Sequence, residues 1–106
     1  TVREADGLAL SSRNTYLNAD ERKAATVLYR ALIAAKDSFD KGERDAETLR
    51  AIMSSAIAKE SLAREEYVSA ADPDTLAELN LIQNGVLLSM AARIGKTRLI
   101  DNFLLP

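Results

Sequence analysis

Histidine and cysteine are both absent from this chain of 106 residues. Without cysteine there is no disulfide and no thiolate metal site, and nothing points to an oxidising compartment, so a cytoplasmic location is the expectation. Without histidine the commonest general acid/base and a frequent zinc ligand are missing, so a mechanism that needs an imidazole is incomplete within these residues. A cationic excess is missing too. The 14 basic residues stand against 16 acidic ones, a net charge of -2, which leaves no broad positive field to gather nucleic acid by counterion release. Nucleic acid is therefore not an expected partner, and neither is a membrane. The longest uncharged stretch, Leu79 to Ala92, is too short for a bilayer crossing and is interrupted by Asn80, Gln83, Asn84 and Gly85. The N-terminus shows no basic-then-apolar signal pattern and no initiating Met, and the chain reads as a fragment of something longer.

What remains is the balance of a folded domain. Hydrophobic residues make up 47% and charged residues 28%, at a length suited to one core. Asn18 with Glu21 three positions on resembles a capping box, and predicts a helix start. Ala24, Val27, Leu28, Ala31, Leu32, Ala35 and Phe39 then follow the three-and-four spacing of one buried helical face, with Gly42 as the stop. Asp45 is placed to cap a second helix, whose apolar face is Leu49, Ile52, Met53, Ala56 and Ile57, running to about Leu62. The short link Lys41 to Arg44 predicts an antiparallel helix pair. Beyond Arg64, Tyr67 to Ala70 reads as a short strand ending at the turn Asp72-Pro73-Asp74. Val86 to Ile94 and Thr97 to Leu104 read as a hairpin closed by Gly95-Lys96, with Gly first as a type II′ turn requires. Leu76 to Gln83 fits either a helical turn or irregular structure. The expected fold is α+β, an antiparallel helix pair packed on a small antiparallel sheet of about three strands.

The chemistry concentrates at the start. In TVREADGLALSSRNTYL an apolar run leads into Ser11-Ser12-Arg13-Asn14, where hydroxyls, a guanidinium and a carboxamide on successive residues form a dense set of donors for an anion such as polyphosphate. A polar loop bonded to its own backbone is the plain alternative. Ile94-Gly95-Lys96-Thr97 imitates the end of a P-loop, but Met90 stands where that pattern needs its first Gly, so Lys96 is read as a hairpin-tip charge. Asp72, Asp74 and Glu78 are read as turn chemistry, not a metal cluster, and no metal site is assigned. Glu65 and Glu66 are read as solvated charges. Asp101 and Asn102, polar within an apolar strand, either face solvent or bond at a contact.

Taken together, READGLALSSRNTYL, Tyr67-Val68-Ser69, Asp74-Thr75-Leu76 and Thr97-Arg98-Leu99-Ile100-Asp101-Asn102 resemble the C-terminal domain of the pantothenate synthetase (pantoate-beta-alanine ligase) family, over essentially the whole chain. That resemblance implies an N-terminal Rossmann-like domain carrying a HIGH-type histidine motif, absent from this sequence. Residues 1–17 then form a nucleotide-phosphate arm and residues 18–106 a C-terminal lid. Ser11, Ser12 and Arg13 stand at the KMSKS-like position and are implied in catalysis through ATP phosphates. Val2 and Leu10 match positions lining the adenine pocket, Leu10 standing where Met is common. ATP and magnesium are the implied cofactors. The implied reaction activates pantoate as pantoyl adenylate with loss of pyrophosphate, after which the β-alanine amine displaces AMP. The implied partners are ATP, the chain's own N-terminal domain and, through that domain, a second subunit. The isolated chain is expected to be inactive. A rival reading makes it a non-enzymatic α+β protein-interaction module.

Overall fold

The computed structural model describes residues 2–5, 7–8 and 12–106, apart from the Ser12 side chain. A 3-10 helix, Ser12–Tyr16, precedes three α-helices, α1 (Ala19–Ala24), α2 (Val27–Asp40) and α3 (Ala46–Ala58). Three strands follow, β1 (Ala63–Ala71), β2 (Val86–Ile94) and β3 (Thr97–Leu105), paired antiparallel in the order β1-β2-β3. The fold is thus the α+β arrangement expected, with α2 and α3 packed together and laid on one face of the sheet.

The helix ends follow the cap chemistry. The Asn18 side chain accepts from the Glu21 N–H at 2.8 Å while the Glu21 carboxylate accepts from the Asn18 N–H at 3.0 Å, a complete capping box. At the far end of α2 the Gly42 N–H reaches the Phe39 carbonyl and the Glu43 N–H reaches that of Ser38, the paired bonds of a Schellman stop, with Gly42 at φ 109°. Asp45 caps α3 by accepting from the Glu47 N–H at 3.0 Å.

Three elements depart from the sequence reading. The single helix expected from Asn18 to Phe39 is two, broken at Ala25 and Thr26. The Thr26 hydroxyl donates to the Lys23 carbonyl at 2.8 Å, a local bond that competes with the helical ladder and turns the chain. α3 ends at Ala58, short of Leu62, where Glu60 accepts from the Leu62 N–H through its side chain. β1 begins at Ala63, earlier than Tyr67, because Arg64 to Glu66 lie on an edge strand where charged side chains meet water. Leu76 to Gln83 is irregular and tied down by isolated bridges from Glu78 to Ala71 and from Leu81 to Asp45.

Alternation along the strands sets the core. Val86, Leu88, Met90, Ala92 and Ile94 of β2 are buried, beside Leu99 and Leu105 of β3, against Leu28, Leu32, Leu49, Met53 and Ile57 of the helices. Asp101 falls on this same core-facing set, opposite Met90.

At the hairpin tip Gly95 has φ 63°, and an added Cβ would stand 1.9 Å from a Glu21 carboxylate oxygen. Gly95→Ala therefore strains the turn and displaces the Glu21 side chain. A loss of about 1 to 2 kcal/mol is expected, read as a lower denaturant midpoint at unchanged slope. An unchanged midpoint would contradict this account of the turn.

Candidate functional site

The N-terminal arm is anchored before it reaches the serines. Arg3 donates from both terminal nitrogens to the two Asp101 carboxylate oxygens, at 2.6 and 2.8 Å, and to the Gly7 carbonyl at 2.9 Å. Its guanidinium lies 4.9 Å from the Tyr29 ring centre and 5.0 Å from that of Phe103, and those rings meet edge to face at 5.9 Å. The pairing with Asp101 raises the Arg3 pKa above its already high ordinary value, against the opposing effect of burial. A planar fork matched to a carboxylate and stacked on aromatic faces is a use of arginine that lysine cannot reproduce. Gly7 makes the tight return possible. At φ 93° it lies against Tyr29, whose ring a Cβ would meet at 2.2 Å. The Glu4 N–H bonds to the Leu8 carbonyl, and Leu8 enters the core. So these described parts of the arm are packed on this chain's own sheet and helices.

From Ser12 onward the chain again lies against the sheet. The 3-10 helix Ser12–Tyr16 runs beside β3, and Arg13 donates to the Arg98 carbonyl at 3.2 Å. The segment holding the predicted phosphate donors is thus entered and left from two docked points, one made by Arg3 and Leu8, the other by Arg13. Leu10 and Ser11 lie outside the described residues, as does the Ser12 side chain. Val2, which the resemblance leads us to expect at an adenine pocket, is 70% exposed.

Arg13 also faces a groove. An open cavity of about 590 Å³ is lined by Arg13, Tyr16, Arg93, Lys96, Thr97 and Arg98. Arg93 and Arg98 are cross-strand partners, a pairing that repels. The register of β1 slips between Glu65 and Tyr67, and this bulge carries Glu66 to both guanidiniums. The Arg93 Nε donates to Glu66 at 2.7 Å, and the Arg98 Nε donates to the other carboxylate oxygen. Arg98 first, and then Arg93, hold the Glu66 carboxyl below the ordinary carboxylate range. Glu66 is exposed, as expected from sequence, but it also serves as counter-ion to both arginines.

Other candidates resolve plainly. Asp72 accepts from the Asp74 and Thr75 N–H groups at 2.8 and 2.9 Å, closing the expected turn. Glu78 is occupied by Arg50, Ser69 and the Ala70 N–H. Among the described residues no group of three or more Asp or Glu is placed to hold a metal ion. Lys96 occupies the hairpin tip, as read, but shares the Arg13 groove. Asp101 and Asn102 part company: Asp101 is buried and paired, Asn102 exposed.

The sequence reading missed Arg3 as the partner of Asp101 and Glu66 as the partner of two arginines. A signal for the first was present. A charge at the core parity of Leu99, Asp101 and Phe103 demands a buried partner, and Arg3 is the cation beside the motif already singled out.

Comparison with known proteins gives this geometry a family. The family model described as Pantoate-beta-alanine ligase matches residues 1–104. The chain is 64% identical over 106 residues to the pantothenate synthetase of Chloroflexus aurantiacus, covering 99% of this chain and 38% of the relative. It superimposes on a crystal structure of the Thermus thermophilus pantothenate synthetase with a TM-score of 0.91 at 40% identity, over 97% of this chain and 37% of that one. The Francisella tularensis ligase, complexed with beta-gamma ATP and beta-alanine, aligns with a TM-score of 0.57 at 27% identity, over 98% of this chain and 31% of that one. The chain spans about 38% of the length of the curated relatives it matches. A chain whose sequence and fold both follow these enzymes over nearly all of its length belongs to the pantoate-beta-alanine ligase family.

Proposed function

We propose that this chain is the lid of an ATP-dependent ligase that condenses pantoate with β-alanine, and that Ser11, Ser12 and Arg13 hold the ATP phosphates. The observation that carries the reading is Arg13, tied to the Arg98 carbonyl at the edge of a cationic groove and adjoining two serines in a family member. Support comes also from the relative complexed with beta-gamma ATP and beta-alanine. In this reading the pantoate carboxylate attacks the α-phosphate, pantoyl adenylate forms, and the bond to the β-phosphate oxygen breaks. Arg13 and the serine hydroxyls offset the negative charge that grows on the leaving pyrophosphate, in a site closed against water. The β-alanine amine then attacks the acyl carbon and AMP departs. Magnesium supplies further charge neutralisation when it accompanies ATP, and no side chain of this chain is assigned to it. Val2 and Leu10 border the adenine. The N-terminal Rossmann-like domain provides the imidazoles and the other substrate pockets, and a dimer contact.

The lid reading makes a sharp demand on the isolated chain. Given ATP, magnesium, pantoate and β-alanine, the purified 106-residue chain forms no pantothenate, since it contains no histidine and none of the proposed acid/base chemistry. Product above a contaminant control would overturn the assignment of catalysis to residues outside it.

A further inference from the structure

We propose that the groove running from Arg13 to the β2–β3 hairpin tip is an oligophosphate site, in which Lys96 takes the phosphate beyond the one held by Arg13 and guides pyrophosphate out after the first step. The proposal rests on the reading of Arg13 as a phosphate ligand, and extends it to residues that reading does not use.

Charge is the first argument. In a chain of net charge -2, Arg13, Arg93, Lys96 and Arg98 line one open groove. Glu66 answers Arg93 and Arg98 with both of its oxygens, so the groove keeps an excess of positive charge. Glu21 also stands near the tip, with one oxygen engaged by the Asn18 N–H and the other close to Gly95, and even counting its charge the four cations of the groove outnumber these two carboxylates. Lys96 has no ion pair among the described residues.

Geometry is the second. Arg13 is joined to the backbone of Arg98, and Lys96 sits on the two-residue turn between the paired residues Ile94 and Thr97. Arg13, on the 3-10 helix, is thus tied to the hairpin at Arg98 and lines the same groove as Lys96, so an anion with two linked phosphate groups meets two cations in one groove. Their chemistry divides the task. A planar fork fixes one phosphate in direction, whereas a compact ammonium on a flexible stem follows a departing one. Pyrophosphate carries more charge and two linked phosphate groups, so it should bind more tightly than a single phosphate.

Titration of inorganic pyrophosphate into the 106-residue chain, followed by phosphorus NMR, is the test, with circular dichroism to verify the fold of each variant. Saturable binding is expected, tighter than that of inorganic phosphate and weakened by added salt. Lys96→Glu should weaken it about tenfold, Lys96→Arg should restore it, and Lys41→Glu, at the C-terminal end of α2, should leave it unchanged. Loss in both Lys96→Glu and Arg13→Ala supports the shared site. Loss in Lys96→Glu alone removes the Arg13 reading and overturns the two-cation site with it. Loss in Arg13→Ala alone keeps that reading and overturns the groove. The absence of saturable binding, or native affinity in both variants, also overturns the groove, and the adenylation rate of Arg13→Ala then judges the lid reading separately.

Discussion

Arg13→Ala in the full-length ligase is expected to slow pantoyl adenylate formation by about a hundredfold or more, with a much smaller effect on ATP binding. The asymmetry follows from where charge grows. In the proposed reading, bound ATP carries its negative charge spread along the triphosphate, and the guanidinium stabilises it less than it stabilises the leaving pyrophosphate. As the α-phosphate bond breaks, charge gathers on the leaving pyrophosphate, and a donor fixed in advance gains without reorganising. Arg13 is fixed by its bond to the Arg98 carbonyl. Arg13→Lys keeps the charge and loses the fork, so it falls between native and alanine. Ser12→Ala acts in the same direction but more weakly, because it removes a neutral donor. Single-turnover measurement of adenylate separates these from effects on product release. Lys41→Ala is the suitable control, since Lys96 lines the Arg13 groove.

Arg3→Ala is expected to cost about 3 kcal/mol of stability, equivalent to roughly 15 °C in Tm for a domain of this size. The loss comes from what is left behind. The Asp101 side chain is 3% exposed, and without Arg3 its carboxylate keeps, among the described residues, the Asn102 N–H at 2.8 Å. The aromatic pair Tyr29 and Phe103 loses its cation at the same time. Arg3→Met combined with Asp101→Leu should recover much of the loss, because replacing both members of a buried pair by apolar groups removes the stranded charge. Thermal unfolding of the single and double variants decides the matter, and a Tm for Arg3→Ala within a few degrees of native would refute the anchor.

The same pair shows how far the sequence could be read. Helices, hairpin and core were legible because the three-and-four spacing of Val27 to Phe39 and the alternation of Val86 to Ile94 both report burial locally. Caps were legible at Asn18, Asp45 and Gly42 because their partners lie within a few positions. The break at Thr26 was hidden, since a hydroxyl bonded to the carbonyl three residues back leaves the apolar period nearly intact. Arg3 and Asp101 are joined across 98 positions, and Glu66 reaches Arg93 and Arg98 only because of a bulge in β1. Such contacts depend on tertiary register, to which spacing along the chain is blind. The serine and arginine motif could be named from the residues, whereas its surroundings, an anchored arm on one side and a cationic groove on the other, emerge only when the first residues and the last strand are brought together.

The central claim, that this chain clamps the phosphates during adenylation, is tested most directly by exchange of labelled pyrophosphate into ATP by the full-length ligase, with pantoate present and β-alanine withheld. That exchange reports only the step in which the α-phosphate bond breaks and re-forms. Native enzyme should catalyse it, Arg13→Ala should lower it by about a hundredfold, and Lys41→Ala should leave it intact. Exchange in Arg13→Ala at close to the native rate would contradict the account.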